Sequence, residues 1–152
     1  MENKPNCITD KYGTKRWYLD GVLHREDGPA IEYQDGVKKW YLNGDLHRED
    51  GPAVELLNGS KKWFINGKCH RVDKPAVEWS DGDKTWYFNG KIHRLDGPAV
   101  IWSDGSSYWS INDYDVTSEI IKWAKENNID LNNLTEVDKA LIKIEWANYD
   151  GK

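Results

Sequence analysis

The chain has 152 residues, a formal net charge of −5, and nine tryptophans and eight tyrosines against two phenylalanines. That length suits one domain with a single modest core, and the negative balance argues against bulk attraction to nucleic acid or anionic membranes. The two cysteines, Cys7 and Cys69, form no disulfide or zinc pattern, and no signal-peptide or membrane-spanning run is seen, so a protein of the reducing cytoplasm is expected.

Residues 1–6 are polar, contain Pro5 and are expected to be a flexible lead-in. Strand pairing is expected from Cys7, where 7–16 reads as a degenerate half-unit with Ile8 in the place of Ile31 and Gly13 in that of Gly36. From there one unit dominates. Trp17, Trp40, Trp63, Trp86 and Trp109 recur every 23 residues, as do His24, His47, His70 and His93, and Pro29, Pro52, Pro75 and Pro98. A fixed period without insertions is the mark of stacked supersecondary units that bury their apolar faces against one another.

Within a unit, the runs Ala30 to Tyr33 and Lys38 to Leu42 are rich in aromatic and branched residues and are separated by Asp35-Gly36, a hairpin signal. Asn58-Gly59, Asp81-Gly82 and Asp104-Gly105 repeat it, and a second turn follows each Trp strand at Asp20-Gly21, Asn43-Gly44, Asn66-Gly67 and Asn89-Gly90. Each unit is therefore expected to be one hairpin plus a short return. Alternation puts Trp40 and Leu42 on one face and Lys39 and Tyr41 on the other, and the Trp and aliphatic positions are the expected core. Ile31 and Tyr33 are expected to face inward and Glu32, Glu55 and Glu78 to face water, while Ile101 in their row predicts an apolar cover. The return segment His47 to Ala53 contains Gly51-Pro52, and its third copy reads Asp73-Lys74-Pro75. A lysine there predicts an extended backbone in which glycine is a preference.

The pattern decays after Ile111, and the repeat domain is expected to span 7–113. A helical cap is expected over 116–150. Its first helix runs from Thr117, read as the cap, to about Asn127; its second runs from Thr135 to about Asn148, with Thr135 and Asp138 at capping-box spacing. Val137, Ala140, Leu141 and Ile144 form one side of the second helix. Ile142 and Trp146 form another, read as a second contact surface that pairs two copies in a homodimer.

The 23-residue period, the aromatic strand, the Asp-Gly hairpin and Asn-Gly-x-x-His at Asn43, Asn66 and Asn89 resemble MORN repeats over roughly residues 7–112. MORN units are stacked β-hairpins, so the resemblance implies a mainly β array of about four and a half units. Arginine follows each histidine here, at Arg25, Arg48, Arg71 and Arg94, where MORN units have glycine. That wording is similar to MORN-like variants in small accessory proteins of tailed bacteriophages and large DNA viruses. The resemblance implies an interaction scaffold acting in a host cytoplasm.

Neighbouring strands lie about 4.8 Å apart, so equivalent histidines of successive units stand roughly 10 Å apart, too far to share a zinc ion bound at about 2 Å. The chain multiplies its reactive residues evenly instead of gathering them, and no catalytic residue, metal site or cofactor is expected. For His-Arg-x-Asp, one reading is local pairing that pins the return loop. The other is a groove of His24, Arg25, His47, Arg48, His70, Arg71, His93 and Arg94 with Trp40, Trp63 and Trp86, where guanidiniums clamp phosphates and indoles stack on a base. With the viral resemblance, the second reading predicts sequestration of a nucleotide signal used in antiviral defence. A scaffold or a direct inhibitor of a host protein is the alternative. Binding to nucleic acid or membrane is not expected.

Overall fold

In the computed structural model, which describes residues 4–149 and 151, the turn dipeptides adopt the backbone that tight hairpins demand. Asn43 and Gly44 both have positive φ, 52° and 90°, and Asn66-Gly67 and Asn89-Gly90 repeat this two-residue turn. The other turn is a three-residue loop. Gly36 N–H donates to Tyr33 O at 3.0 Å, Tyr33 N–H donates to Val37 O at 3.0 Å, and the Asp35 carboxylate accepts from Val37 N–H at 3.1 Å. Gly36 takes φ 94°, which explains why glycine recurs at this position.

These turns generate two stacked layers of hairpins, not one hairpin and a return. An antiparallel meander follows the chain from Asn6–Thr9 through Lys15–Leu19, Ile31–Glu32, Lys38–Lys39, Val54–Glu55, Lys61–Lys62, Val77–Glu78, Lys84–Thr85 and Val100–Ile101 to Ser107–Tyr108, with Val22–Leu23 beside the second strand. The second layer consists of short hairpins, Tyr41–Leu42 with Asp45–Leu46 and its copies at 64–69, 87–92 and 110–115. Each is tied to the one before it, as when Gly67 N–H donates to Leu46 O at 2.9 Å and Gly90 N–H to Cys69 O at 2.8 Å. The last turn survives without glycine. Asn112 and Asp113 hold φ 54° and 72°, and the Asp113 carboxylate accepts from Ile92 N–H at 2.7 Å.

The array buries little per unit. Ala30 with Ile31, Ala53 with Val54, and Ala76 with Val77 are buried, whereas Trp40, Trp63 and Trp86, expected in the core, are half-buried because an arginine covers each ring. Tyr33 is likewise half-buried. Glu32, Glu55 and Glu78 do not simply face water: they are half-buried and pair with Arg25, Arg48 and Arg71 at 3.2, 3.2 and 2.8 Å. Ile101, half-buried in the same row, leaves Arg94 without such a partner.

Two helices close the last unit, α1 (Thr117–Glu126) and α2 (Glu136–Trp146). The expected capping box of α2 is present, with Asp138 N–H donating to Thr135 Oγ1 at 3.2 Å and Thr135 N–H to the Asp138 carboxylate at 2.8 Å. Thr117 does not cap α1. Its hydroxyl accepts from Trp109 N–H at 3.0 Å and so ties the helix start to the last strand; the N-cap is Val116. Trp109, Ile111, Val116, Ile120, Ile142 and Trp146 form the main apolar cluster, joined by Leu95 from the preceding return loop. The two sides of α2 are therefore the reverse of the expectation. Ile142 and Trp146 lie inside the chain's own core, 0% and 6% exposed, while Val137, Leu141 and Ile144 are 68%, 45% and 77% exposed.

Candidate functional site

Each arginine of the return loop is held on two sides. The Arg48 guanidinium lies 4.0 Å from the centre of the Trp40 ring, and a Cβ added to Gly51 would meet its Cζ at 2.7 Å. Gly51 is outside the left-handed region, so glycine is required there for space and not for backbone freedom. In the plane of the fork, Nε donates to Asp50 at 2.8 Å and Nη1 donates to the Pro52 carbonyl and to Glu55, both at 3.2 Å. Arg25 on Trp17 repeats every contact. Arg94 on Trp86 keeps Asp96 and the Pro98 carbonyl.

The third copy shows what the glycine does. With Lys74 in its place, Asp73 turns to φ 58° and no Arg71–Asp73 bond forms, although Arg71 still stacks on Trp63 at 3.8 Å and binds Pro75 O and Glu78. Lys74 keeps out of the left-handed region, as expected, and the positive φ that appears in this copy alone falls on an aspartate, which tolerates it. Hydrogen bonds from the guanidiniums hold Asp27 and Asp50 below the usual carboxylate range. Burial pushes Asp96 up, but Arg94 and Lys143 of α2, 3.3 Å away, outweigh it and hold it down.

The histidines are stitches between units. The backbone N–H of Asn43, Asn66, Asn89 and Asn112 donates to Nδ1 of His24, His47, His70 and His93 at 3.1, 3.2, 3.1 and 3.3 Å. Nδ1 of His24 and His47 also lies 2.9 and 2.8 Å from the side-chain oxygens of Asn43 and Asn66, and the other ring nitrogen is Nε2. At His24 and His47 that nitrogen looks toward Glu26 and Glu49, 3.6 and 3.7 Å away. Phe88 sits between the rings of His70 and His93, at 4.9 and 5.8 Å. Among the described residues no group of His, Cys, Asp and Glu has the arrangement of a metal site. Cys69 points its Sγ at Ala76 O, 3.8 Å away, and burial pushes its thiol up to about 11.

Open grooves flank the first return loop. The groove of the first and second loops, about 650 Å³, has Trp40, Leu42 and His47 along it and Glu26 and Glu49 at its rims. A neighbouring groove of about 630 Å³ lies against Trp17, Leu19 and His24. The structure thus brings together His24, Arg25, Trp40, His47 and Arg48 around adjoining grooves. Trp63, His70 and Arg71, and Trp86, His93 and Arg94, repeat the local arrangement further along the array and do not join the same site. Sequence reasoning missed the rim. It is legible in the variable residue of His-Arg-x-Asp, which runs Glu26, Glu49, Val72, Leu95. Neither a protein-family profile nor a curated protein matches the sequence.

Proposed function

We propose that the chain is a non-enzymatic binding array whose return-loop grooves hold a segment of another polypeptide. The observation that supports this is the state of the arginines: in the second unit, three guanidinium donors already serve Asp50, Pro52 and Glu55, so clamping a phosphate there would first break the loop's own bonds. Nucleotide sequestration is the second reading, favoured by the Arg48 Nη2 group, which has no partner among the described residues, beside the Trp40 ring. The MORN-like wording adds a setting to the first reading, a viral protein that inhibits a host protein in the host cytoplasm.

Photo-cross-linking from a Leu42 variant in host lysate tests the proposal. Cross-linked polypeptides mapping to 24–52 are the expected result. A melting temperature raised by mono-, di- or cyclic nucleotides, with no polypeptide captured, would replace it with the nucleotide reading.

A further inference from the structure

We infer that the groove between the first and second return loops receives a polyproline-II segment carrying arginine or lysine at every third position, an inference that rests on the polypeptide-binding reading above. Charge is the first argument. The groove between the first and second loops is lined by two guanidiniums, Arg25 and Arg48, and four carboxylates, Glu26, Asp27, Glu49 and Asp50, so negative charge is in excess. The arginines are turned inward onto tryptophan, with side chains 20% and 23% exposed, while the Glu26 and Glu49 side chains are 82% and 85% exposed. A partner meets the carboxylates first, and among the described residues their ion-pair contacts are with the histidine edges, at 3.6 and 3.7 Å.

Pitch is the second argument. Each unit places two strands in the meander, so Glu26 and Glu49 repeat at roughly 10 Å along the array. A polyproline-II helix brings the same face round every three residues, about 9.3 Å. A β-strand repeats its face at about 6.8 Å and drifts out of register at once. A polyproline-II segment also presents flat rings to an aromatic floor and loses little entropy on binding because its backbone is already set. The basic side chains can lay their stems along Trp40 and Leu42 with their heads at the rims.

The array itself limits where this works. Val72 and Leu95 replace the glutamates in the third and fourth loops, so the acidic row ends after two units. Val72 is 63% exposed and offers a site at which the row can be extended.

The experiment is a tryptophan-fluorescence and calorimetric titration of the whole chain with a twelve-residue Arg-Pro-Pro repeat peptide. Saturable binding is expected, with Arg-Gly-Ser and Glu-Pro-Pro repeats about tenfold weaker or inert. The double substitution Glu26→Gln with Glu49→Gln is expected to weaken binding about tenfold with an unchanged circular dichroism spectrum, and Val72→Glu to tighten it about threefold. Equal binding of the Arg-Gly-Ser peptide, tighter binding of an alanine-rich helix of the same charge, or indifference to the glutamate substitutions would overturn the inference. If no basic peptide binds while lysate polypeptides still cross-link to 24–52, the inference falls and the polypeptide-binding reading stands; if only nucleotides bind, both fall.

Discussion

Arg48→Ala tests whether the return-loop arginines hold the fold. The substitution removes the stack on Trp40 at 4.0 Å and the bond to the Pro52 carbonyl at 3.2 Å, and it opens the space above which Gly51 closes. Stacking of this kind is worth about 0.5–1 kcal/mol at a partly exposed site, and a charge-assisted bond about 1.5–3 kcal/mol. The pairs with exposed Asp50 and half-exposed Glu55 add little once water screens them. A loss of about 2–4 kcal/mol is expected, equivalent to roughly 5–15 °C in Tm for a chain of this size. Urea unfolding followed by tryptophan fluorescence and by far-UV circular dichroism measures it. Arg48→Lys is expected to recover less than half, because an ammonium cannot present a planar fork to Asp50, Pro52 and Glu55 while stacking on the indole. An alanine variant within about 0.5 kcal/mol of the parent, or full recovery by lysine, would refute the structural role.

Gly51→Ala is expected to destabilise by about 1–3 kcal/mol, because its Cβ would stand 2.7 Å from Arg48 Cζ; Lys74→Gly is expected to stabilise by up to about 1 kcal/mol by releasing Asp73 from φ 58°. Urea midpoints check both. Ile142→Ala is expected to cost about 2–5 kcal/mol and Ile144→Ala less than about 0.5 kcal/mol, since the first side chain is 0% and the second 77% exposed; similar losses would contradict the assignment of the two α2 sides. Stability is expected to fall as pH falls. Burial lowers His93 below its ordinary 6.5 despite the opposing contribution of the Asn112 side chain, so its contribution is full above 6.5 and is lost as pH drops through the lowered value. Asp96, held below 3.8, adds a second loss at still lower pH. A urea midpoint that rises between pH 7 and 5 would contradict the sign for His93.

Most of the architecture could be read from residues whose backbone demands are local. Gly36, Asn43 and Gly44 need positive φ, and that need shows in any sequence that meets it every 23 residues. The sides of α2 could not be read in this way. Val137, Leu141 and Ile144 are as good a buried stripe as Ile142 and Trp146 by periodicity alone, and the choice is made by Trp109, Ile111 and Ile120, which are distant in sequence. Thr117 misled for a related reason: a threonine before a helix satisfies the capping pattern, but the last strand takes its hydroxyl first. The arginines could be read in two ways, and only the third dimension separates them. A guanidinium beside an indole is the same pair of residues whether it awaits a phosphate or already clamps its own loop, and the distances to Asp50, Pro52 and Glu55 show the second arrangement.

In the proposed binding array, regularity and selectivity fall to different residues. His24, His47, His70 and His93 are each engaged by the asparagine of the following unit, and Arg25, Arg48, Arg71 and Arg94 by their own loops, so the repeated residues set the pitch and the stacking. Selectivity then falls to positions the repeat does not fix. The residue after each arginine is such a position, because Glu26, Glu49 and Val72 are exposed there without holding any neighbouring unit in place, whereas Leu95 has been drawn into the core beneath the helices. Changing these residues alters the charge at one end of a groove row while its geometry stays put. A regular frame of this kind can take new partners by substitution at a few exposed sites, provided that the partner's own chain repeats at a matching interval.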